Sequence, residues 1–347
     1  MADRDPAGAL DVAVLLGDPR LPYPYAPDGR FGQEELEADQ RLRAALADLR
    51  GYRFTYFDDH DRLIDALRES RPALALNLCD TGFRNDWDLE RNIPALLEIL
   101  DIPYTGADPL AISLGTDKAL VRALAMTLDI PVPNETYIDL TADPPPLPVL
   151  YPALIKPNNS GGSFGITRDC VVHDAAQAEA YLRVLADQLT YLPEAVAQDF
   201  LTGPEYTVGL IGNPDTGFTV LTPLEVDYSG LDPALPPILT YDSKADPASP
   251  YWKHLQFRPA QLDAVTHGQL LEYSAKLFRR LGMRDYGRFD FRAGADGVPR
   301  FLDANTNPTW YFDGKMALMA GWDGYSYGEM LALILEAARH RYGLAAG

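Results

Sequence analysis

The stretch YGRFDFRAGADGVPRFLDANTNP, residues 286–308, decides how this chain is read. It holds two strand-like runs around Asp296-Gly297, a dipeptide that favours a tight type I′ hairpin turn. A hairpin centred there sets Asp290 opposite Asp303 and Arg288 opposite Asn305, because both pairs of numbers have the same sum. Side chains alternate faces with period two, so Arg288, Asp290, Asp303 and Asn305 share one face, and Phe289, Phe291, Leu302 and Ala304 share the other. The second set reads as core. The first brings together two carboxylates and an amide oxygen, which repel unless a cation is present. An all-oxygen set is what Mg²⁺ takes, usually beside phosphate oxygens. The competing reading is an exposed sheet face on which Arg288 bridges two solvated aspartates as weak surface ion pairs.

Upstream, ALIKPNNSGGSFGI (153–166) runs from an apolar strand into a loop with three glycines and two serines. Backbone N–H groups and hydroxyls in such a loop can wrap phosphate oxygens, with Lys156 at the strand end beside them. A plain hairpin connection with a surface lysine fits the same residues. The loop is not GxxxxGK[ST], and the first strand is not followed by GxGxxG, so a P-loop NTPase and a dinucleotide oxidoreductase both lose their main signature. Of the 30 basic residues only six are lysines, at 118, 156, 244, 253, 276 and 315. With arginine covering the surface, each lysine calls for a reason.

The 347 residues, 47% of them hydrophobic, suffice for more than one core and predict two or three units. A net charge of -20 repels nucleic acid and anionic membranes. No apolar run reaches the ~18 residues of a membrane span, and MADRDPAGAL lacks a basic region followed by an apolar one. Cys79 and Cys170, far apart and without partner spacing, read as plain thiols in a reducing cytoplasm.

The first hundred residues alternate strand and helix. DVAVLL (11–16), YRFTYF (52–57) and ALALNL (73–78) read as strands. A stretch with Leu36, Leu42, Leu46 and Leu49, then residues 62–70, then 88–100 with Leu89, Ile93, Leu96, Leu97 and Leu100, read as helices. The pattern predicts a parallel α/β domain over 1–115, ending after the turn-rich IPYTGADPL. A helical run, TDKALVRALAMTL, and the Pro-rich TADPPPLPVLYP open a central unit assigned to 116–200, with a helix near 174–188 and a strand near 195–201. A C-terminal unit, 201–347, carries hairpin-like strands, a helix near 259–281 and a last helix from about Ser326.

Taken in order, TDKAL, LIKPNNSGGSFGI, AQDFLTGPEYTV, YDSKAD, YGRFDF and FLDANTNP resemble the D-alanine–D-alanine ligase-like branch of the ATP-grasp family, as does the earlier IPALLEILDIPYTGADP. The resemblance runs from about residue 72 to the C-terminus. It implies an ATP-grasp architecture: a Rossmann-like parallel α/β domain, a central α+β lid domain and a C-terminal α+β domain. The implied activity is an ADP-forming carboxylate–amine ligase working through an acyl phosphate. The implied cofactors are ATP and two Mg²⁺ ions, for which Mn²⁺ substitutes. Small-molecule carboxylates and amines are the implied partners, with a homodimer. Lys118 and Lys156 match the two nucleotide-phosphate lysines and Ser163 the loop hydroxyl on the terminal phosphate. Gln198, Phe200 and Leu201 match adenine-pocket positions, Gln198 standing where the family usually has an acid, and Glu205 matches the ribose acceptor. Lys244 is similar to the mobile-loop lysine, Asp290, Asp303 and Asn305 match the metal positions, and Arg288 matches the arginine that stabilises the tetrahedral intermediate. The loop at 158–165 and the segment around 228–250 are the expected lids.

The departures lie at the substrate end. The family's small-residue segment after the metal Asn is replaced by NPTWYFDGK, with Thr309 for a Gly, then Trp310, and Lys315 about where a Ser helps hold the acceptor carboxylate. Lys315 is accordingly expected either to pair with a substrate carboxylate or to stand exposed in a loop. The family's HG motif is replaced by NLCDTGFRNDWD. Arg84 there reads either as a donor-carboxylate contact or as a surface arginine, and Glu34, Glu35 and Glu37 are the acidic candidates for the donor amine. These differences favour a specialised amino-acid ligase, with a D-alanine–D-alanine ligase and a nucleotide-binding protein without catalysis as the alternatives.

Overall fold

In the computed structural model, which describes residues 8–24, 26, 28–188 and 192–344, the chain builds three sheets. The first is parallel, in the order β2-β1-β3, from β1 (Leu10–Leu15), β2 (Tyr52–Phe57) and β3 (Leu74–Asn77). Alternation in β1 explains why it sits in the middle. Val12 and Val14 face Leu42 and Leu46 of α1 (Gln33–Ala47), while Ala13 and Leu15 face α2 (Leu63–Ser70) and Ile93 and Leu97 of α3 (Asn92–Ile99). Leu36 points outward instead, at 46% exposure. The helix expected from residue 88 starts later, because a short 3₁₀ turn at Trp87–Leu89 precedes α3. The passage read as turn-rich carries α4 (Pro109–Thr116), capped by Asp108, whose carboxylate accepts the Ala111 N–H at 2.8 Å, with proline at the first helical position.

The next helix, α5 (Lys118–Thr127), places Val121 and Ala125 in the core of the C-terminal sheet. The central sheet begins only at β4 (Glu135–Asp139) and adds β5 (Ala153–Pro157), β6 (Val171–Val172) and β7 (Glu194–Asp199), antiparallel in the order β4-β7-β5-β6. Ala178, Tyr181, Leu182 and Leu185 of α6 (Ala175–Gln188) cover one side of it.

The third sheet contains β8 (Glu205–Asn213), β9 (Gly217–Val220), β10 (Leu224–Asp227), β11 (Gln256–Pro259), β12 (Tyr286–Ala293) and β13 (Pro299–Asn305). Its order is β11-β10-β8-β12-β13, with β9 also paired to β8. Two short helices, α7 (Asp242–Ala245) and α8 (Pro250–His254), lie in the connection between β10 and β11. On one face α9 (Ala264–Arg280) buries Leu277 and Phe278 with Phe289, Phe291 and Phe301. On the other, α10 (Lys315–Trp322) and α11 (Tyr327–Arg341) join the sheet to the N-terminal domain, their Met316, Met319, Leu331 and Ile334 sharing one core with Val12, Val14 and Leu42. A helix at 315–322 was not expected from the sequence. Ser326 starts α11 with a capping box to Glu329.

The decisive hairpin has the expected register at the site, reached by a different route. Arg288 pairs with Asn305 and Asp290 with Asp303, but Phe291 pairs with Phe301 and Arg292 with Arg300. The turn is not the two-residue type I′. The Gly297 N–H donates to the Gly294 carbonyl at 3.0 Å, Gly297 alone within the tip has positive φ, and the Gly294 N–H closes the turn on the Val298 carbonyl at 3.1 Å. This longer tip shifts the register by one, and a bulge beyond Asp290 shifts it back. The extra residue is Leu302. It lines the cavity described below, and Phe301 takes the core place expected of it.

Candidate active site

A cavity of about 1160 Å³ opens where the three sheets meet. Its floor is the Arg288–Asp290–Asp303–Asn305 face of the hairpin, and its walls include the 160–166 loop, the 238–257 segment and the N-terminus of α1. The Gly-rich loop turns sharply, with positive φ at Gly162, Ser163 and Gly165. For Ser163 this is an uncommon conformation, and it places the hydroxyl where the Lys244 ammonium donates to it at 2.9 Å. The same loop touches the 228–250 segment through the Tyr241 N–H on the Ile166 carbonyl and an edge-on Phe164–Tyr241 contact. Both expected lids therefore meet over the cavity.

Lys118 and Lys156 are each 6% exposed and enter from opposite elements. The Lys118 ammonium donates to the backbone carbonyls of Asn158 and Ser160, which fixes the start of the loop, and burial pulls its pKa down. Lys244 is reached by solvent through the cavity, yet walls surround it. Burial, then the neighbouring Lys315 and Arg288 charges, lower its pKa to about 8. Gln198, Phe200, Leu201 and Glu205 all line one end of the cavity. Gln198 donates to Glu135 at 2.7 Å, and Glu205 accepts from the Tyr228 hydroxyl at 2.7 Å and from Arg292 at 3.4 Å.

Asp290 is held charged. Burial alone would raise its pKa, but Arg288, Lys315 and Thr207 outweigh that and hold it well below the usual carboxylate range. Asp303, by contrast, accepts only from the adjoining Ala304 N–H among the described hydrogen bonds. No group of three His, Cys, Asp or Glu side chains is placed to hold a metal among the described residues. Mg²⁺ takes one or two carboxylates and completes its shell with water and substrate phosphates. Asp303 and the Asn305 carbonyl oxygen fit that demand.

The substrate-end candidates divide between the cavity wall, the core and the surface. Lys315 is the first residue of α10, not a loop residue, and its ammonium lies 3.0 Å from Thr207 Oγ1 and 3.3 Å from Asp290 Oδ1. Trp310 turns into the core, while Thr309 lines the cavity. Arg84 is outside the cavity wall and pairs with Asp61 at 2.9 Å on the surface. Of the acidic candidates, Glu34 and Glu35 line the cavity, and Glu37 pairs with Arg41 on the exposed side of α1. Glu35 is occupied in capping, accepting the Gly32 N–H at 2.6 Å, and burial raises the pKa of Glu34.

Sequence reasoning missed three wall residues. Burial raises Asp80 to about 6 and Glu90 to about 8; Thr309 hydrogen-bonds the first, and Asn307 donates to the second at 2.7 Å. Arg292 is 4% exposed and donates to Glu205 and to the Gly203 and Pro237 carbonyls, with its guanidinium over the Phe200 and Tyr228 rings. It falls on the Asp290 face by period two, and that alternation was the signal available for it.

The sequence model of the family described as D-ala D-ala ligase C-terminus matches residues 147–336. The chain belongs to the D-alanine–D-alanine ligase family. It is an ATP-grasp enzyme, an ADP-forming carbon–nitrogen ligase, and the family's cofactors are ATP and Mg²⁺. It is 29% identical over 93% of its length to the uncharacterized protein y4sG of Sinorhizobium fredii (strain NBRC 101917 / NGR234), covering 91% of that protein. It is 26% identical to the D-alanine–D-alanine ligase of Rhizobium meliloti (strain 1021), over 94% of this chain and 97% of that one. The fold matches the crystal structure of the Bacillus anthracis D-alanine–D-alanine ligase complexed with ATP at a TM-score of 0.71, with 18% identity over 97% of this chain and 100% of that one. It also matches the VanG D-Ala:D-Ser ligase of Enterococcus faecalis at 0.69, with 17% identity over 95% and 99%. Among the described residues no helix is long and apolar enough to cross a membrane.

Proposed function

We propose that this ligase joins two amino acids, activating the carboxylate of one as an acyl phosphate and passing it to the amine of the other, with D-alanine the first substrate to test. The observation that carries this reading is the polarity of the cavity. Lys118 with Lys156, and Lys244 with Arg288, line it as neighbouring cations around Asp290 and Asp303, and Asp80 and Glu90 line it as neighbouring acids, with Glu34 also on the wall. An amino acid suits both: its carboxylate toward the cations and its ammonium toward the acids.

In this reading Lys118 and Lys156 hold the nucleotide phosphates, and Glu205 holds the ribose. Mg²⁺, when bound, neutralises charge on the phosphate oxygens. A carboxylate oxygen of the donor attacks the γ-phosphorus and ADP leaves, with Lys244 and Ser163 on the transferred group. The acceptor amine, deprotonated, attacks the acyl carbon and inorganic phosphate leaves. Arg288 stabilises the oxyanion of that step, and the 158–165 and 228–250 segments keep water from the acyl phosphate. The reaction is assigned to the cytoplasm, with small-molecule carboxylates and amines as its partners.

A second reading, a ligase for a different amino-acid pair or an amino-acid conjugate in specialised biosynthesis, draws on Thr309 and Lys315, which stand about where the family's pattern has a Gly and a Ser, and on Asp80 and Glu90, which add acids to the wall. Mass spectrometry of products separates the two. The protein is incubated with ATP and Mg²⁺, first with D-alanine alone and then with pooled D- and L-amino acids. D-alanyl-D-alanine from the first incubation supports the first reading, and a product from the pool alone supports the second. ATP binding without turnover on any substrate would sink both.

A further inference from the structure

The ligands assigned to the metal do not stand equally open. Each oxygen of Asp290 already has two partners: Oδ1 accepts from Thr207 Oγ1 at 2.5 Å and from Lys315 at 3.3 Å, and Oδ2 from Arg288 at 3.1 Å and Asn305 Nδ2 at 3.0 Å. A carboxylate has about four lone-pair sites, so these are filled. Asp303 has none of this beyond its neighbour's backbone N–H, and Asn305, donating through nitrogen, keeps its carbonyl oxygen for a ligand.

Lys315 is built into this arrangement. Its backbone starts α10 after Gly314, and its side chain is only 10% exposed, with the ammonium 5.7 Å from the centre of the Phe257 ring. Thr207 bonds both Lys315 and Asp290, so β8, β12 and α10 close a triangle around one ammonium. Charge points the same way. Arg288 and Lys315 already balance Asp290 and Asp303, and a divalent ion on Oδ1, at the roughly 2.1 Å of a magnesium bond, would have to share that oxygen with an ammonium.

We propose that the Lys315 ammonium is a resident cation that takes the place of one metal ion at Asp290, leaving Asp303 and the Asn305 carbonyl oxygen to hold a single Mg²⁺ with the nucleotide. The family resemblance implies two ions, and this chain would need one. The inference rests on the reading that nucleotide binds in this cavity, but not on the identity of the amino acids.

The test counts metal. The full chain is loaded with the β,γ-imido analogue of ATP and titrated with Mn²⁺, and bound ions are counted by electron paramagnetic resonance. One Mn²⁺ per bound analogue is expected, with no spin coupling between ions. Lys315→Met should admit a second, coupled ion, and Lys315→Arg should stay at one; a side chain that merely supported the fold would not add a metal when removed. Two coupled ions in the unaltered protein would overturn the proposal whether or not the variants fold, and so would a folded Lys315→Met that still binds one. Failure of the analogue to bind at all would instead remove the nucleotide reading on which it rests.

Discussion

Replacing Lys244 by Arg tests how the cavity prepares for phosphate. The ammonium titrates near pH 8 in the free protein, displaced downward by burial and by the Lys315 and Arg288 charges. Its neutral form therefore dominates above pH 8. A bound triphosphate supplies negative charge and pushes the pKa back toward its ordinary 10.5. At pH 9.2 the free lysine would carry roughly 0.05 of a proton and the bound one roughly 0.95, so nucleotide binding should take up about 0.9 proton. At pH 7 both forms are charged, and uptake should fall to about 0.1. Calorimetry of the imido analogue in buffers of different ionisation enthalpy measures this directly, since phosphate oxygens have finished titrating well below pH 9. Arg keeps its charge throughout and should abolish the uptake. Uptake surviving in Lys244→Arg, or absent from the unaltered protein at pH 9.2, would refute the reasoning.

Asp303→Ala removes the one open carboxylate of the metal set; ADP formation should vanish while the thermal transition stays in place, and persistent turnover would exclude the metal assignment. Arg292→Ala strands Glu205, itself 7% exposed, and breaks the bond to Pro237. Breaking a buried pair costs roughly 3–5 kcal/mol, and retention of the Tyr228 hydroxyl bond argues for the lower end; urea unfolding showing less than about 1 kcal/mol would contradict the burial argument. Asp80 and Glu90 gain charge as pH rises through about 6 and about 8. Affinity for an amine-bearing substrate should accordingly tighten up to pH 8, and Glu90→Gln should remove the upper part of that rise; an unchanged profile of KM against pH would release Glu90 from substrate binding.

The hairpin shows how much was legible and why. Alternation predicted which residues meet at its base, and the prediction held through two compensating irregularities, a longer tip and a bulge at Leu302, that turn propensity alone does not reveal. The consequence was visible one residue further on, where Leu302 and Phe301 exchanged roles. Strand periods likewise located β1, β2 and β3, because β1 and β3 are buried along nearly their whole length and β2 packs Tyr52, Phe54 and Tyr56, partly buried, on one face. What stayed hidden depends on long-range packing. The sequence left Lys315 between a substrate contact and an exposed loop position because NPTWYFDGK carries bulky and turn-forming residues; only contact with β8 and β12 makes α10 a wall of the site. Asp80 and Glu90 are ten residues apart in an irregular segment, and nothing in their spacing tells that Asn307 and Thr309 will come to lie against them.

Those same contacts tie the two ends of the reaction together. The segment that follows Asn305 carries Asn307 to Glu90, Thr309 to Asp80, Trp310 into the core and Lys315 back to Asp290 within ten residues. Any displacement of this segment moves the acidic wall and the cation beside the metal set together. Trp310 is its fixed point, buried with Met316 and Leu331 in the core shared by the first and last domains. A substitution that alters the amino-acid end is therefore expected to be felt at the phosphate end through this segment. The proposed metal count and the acidic wall thus hang on one segment, because Asn307 and Thr309 reach Glu90 and Asp80 while Lys315 reaches Asp290.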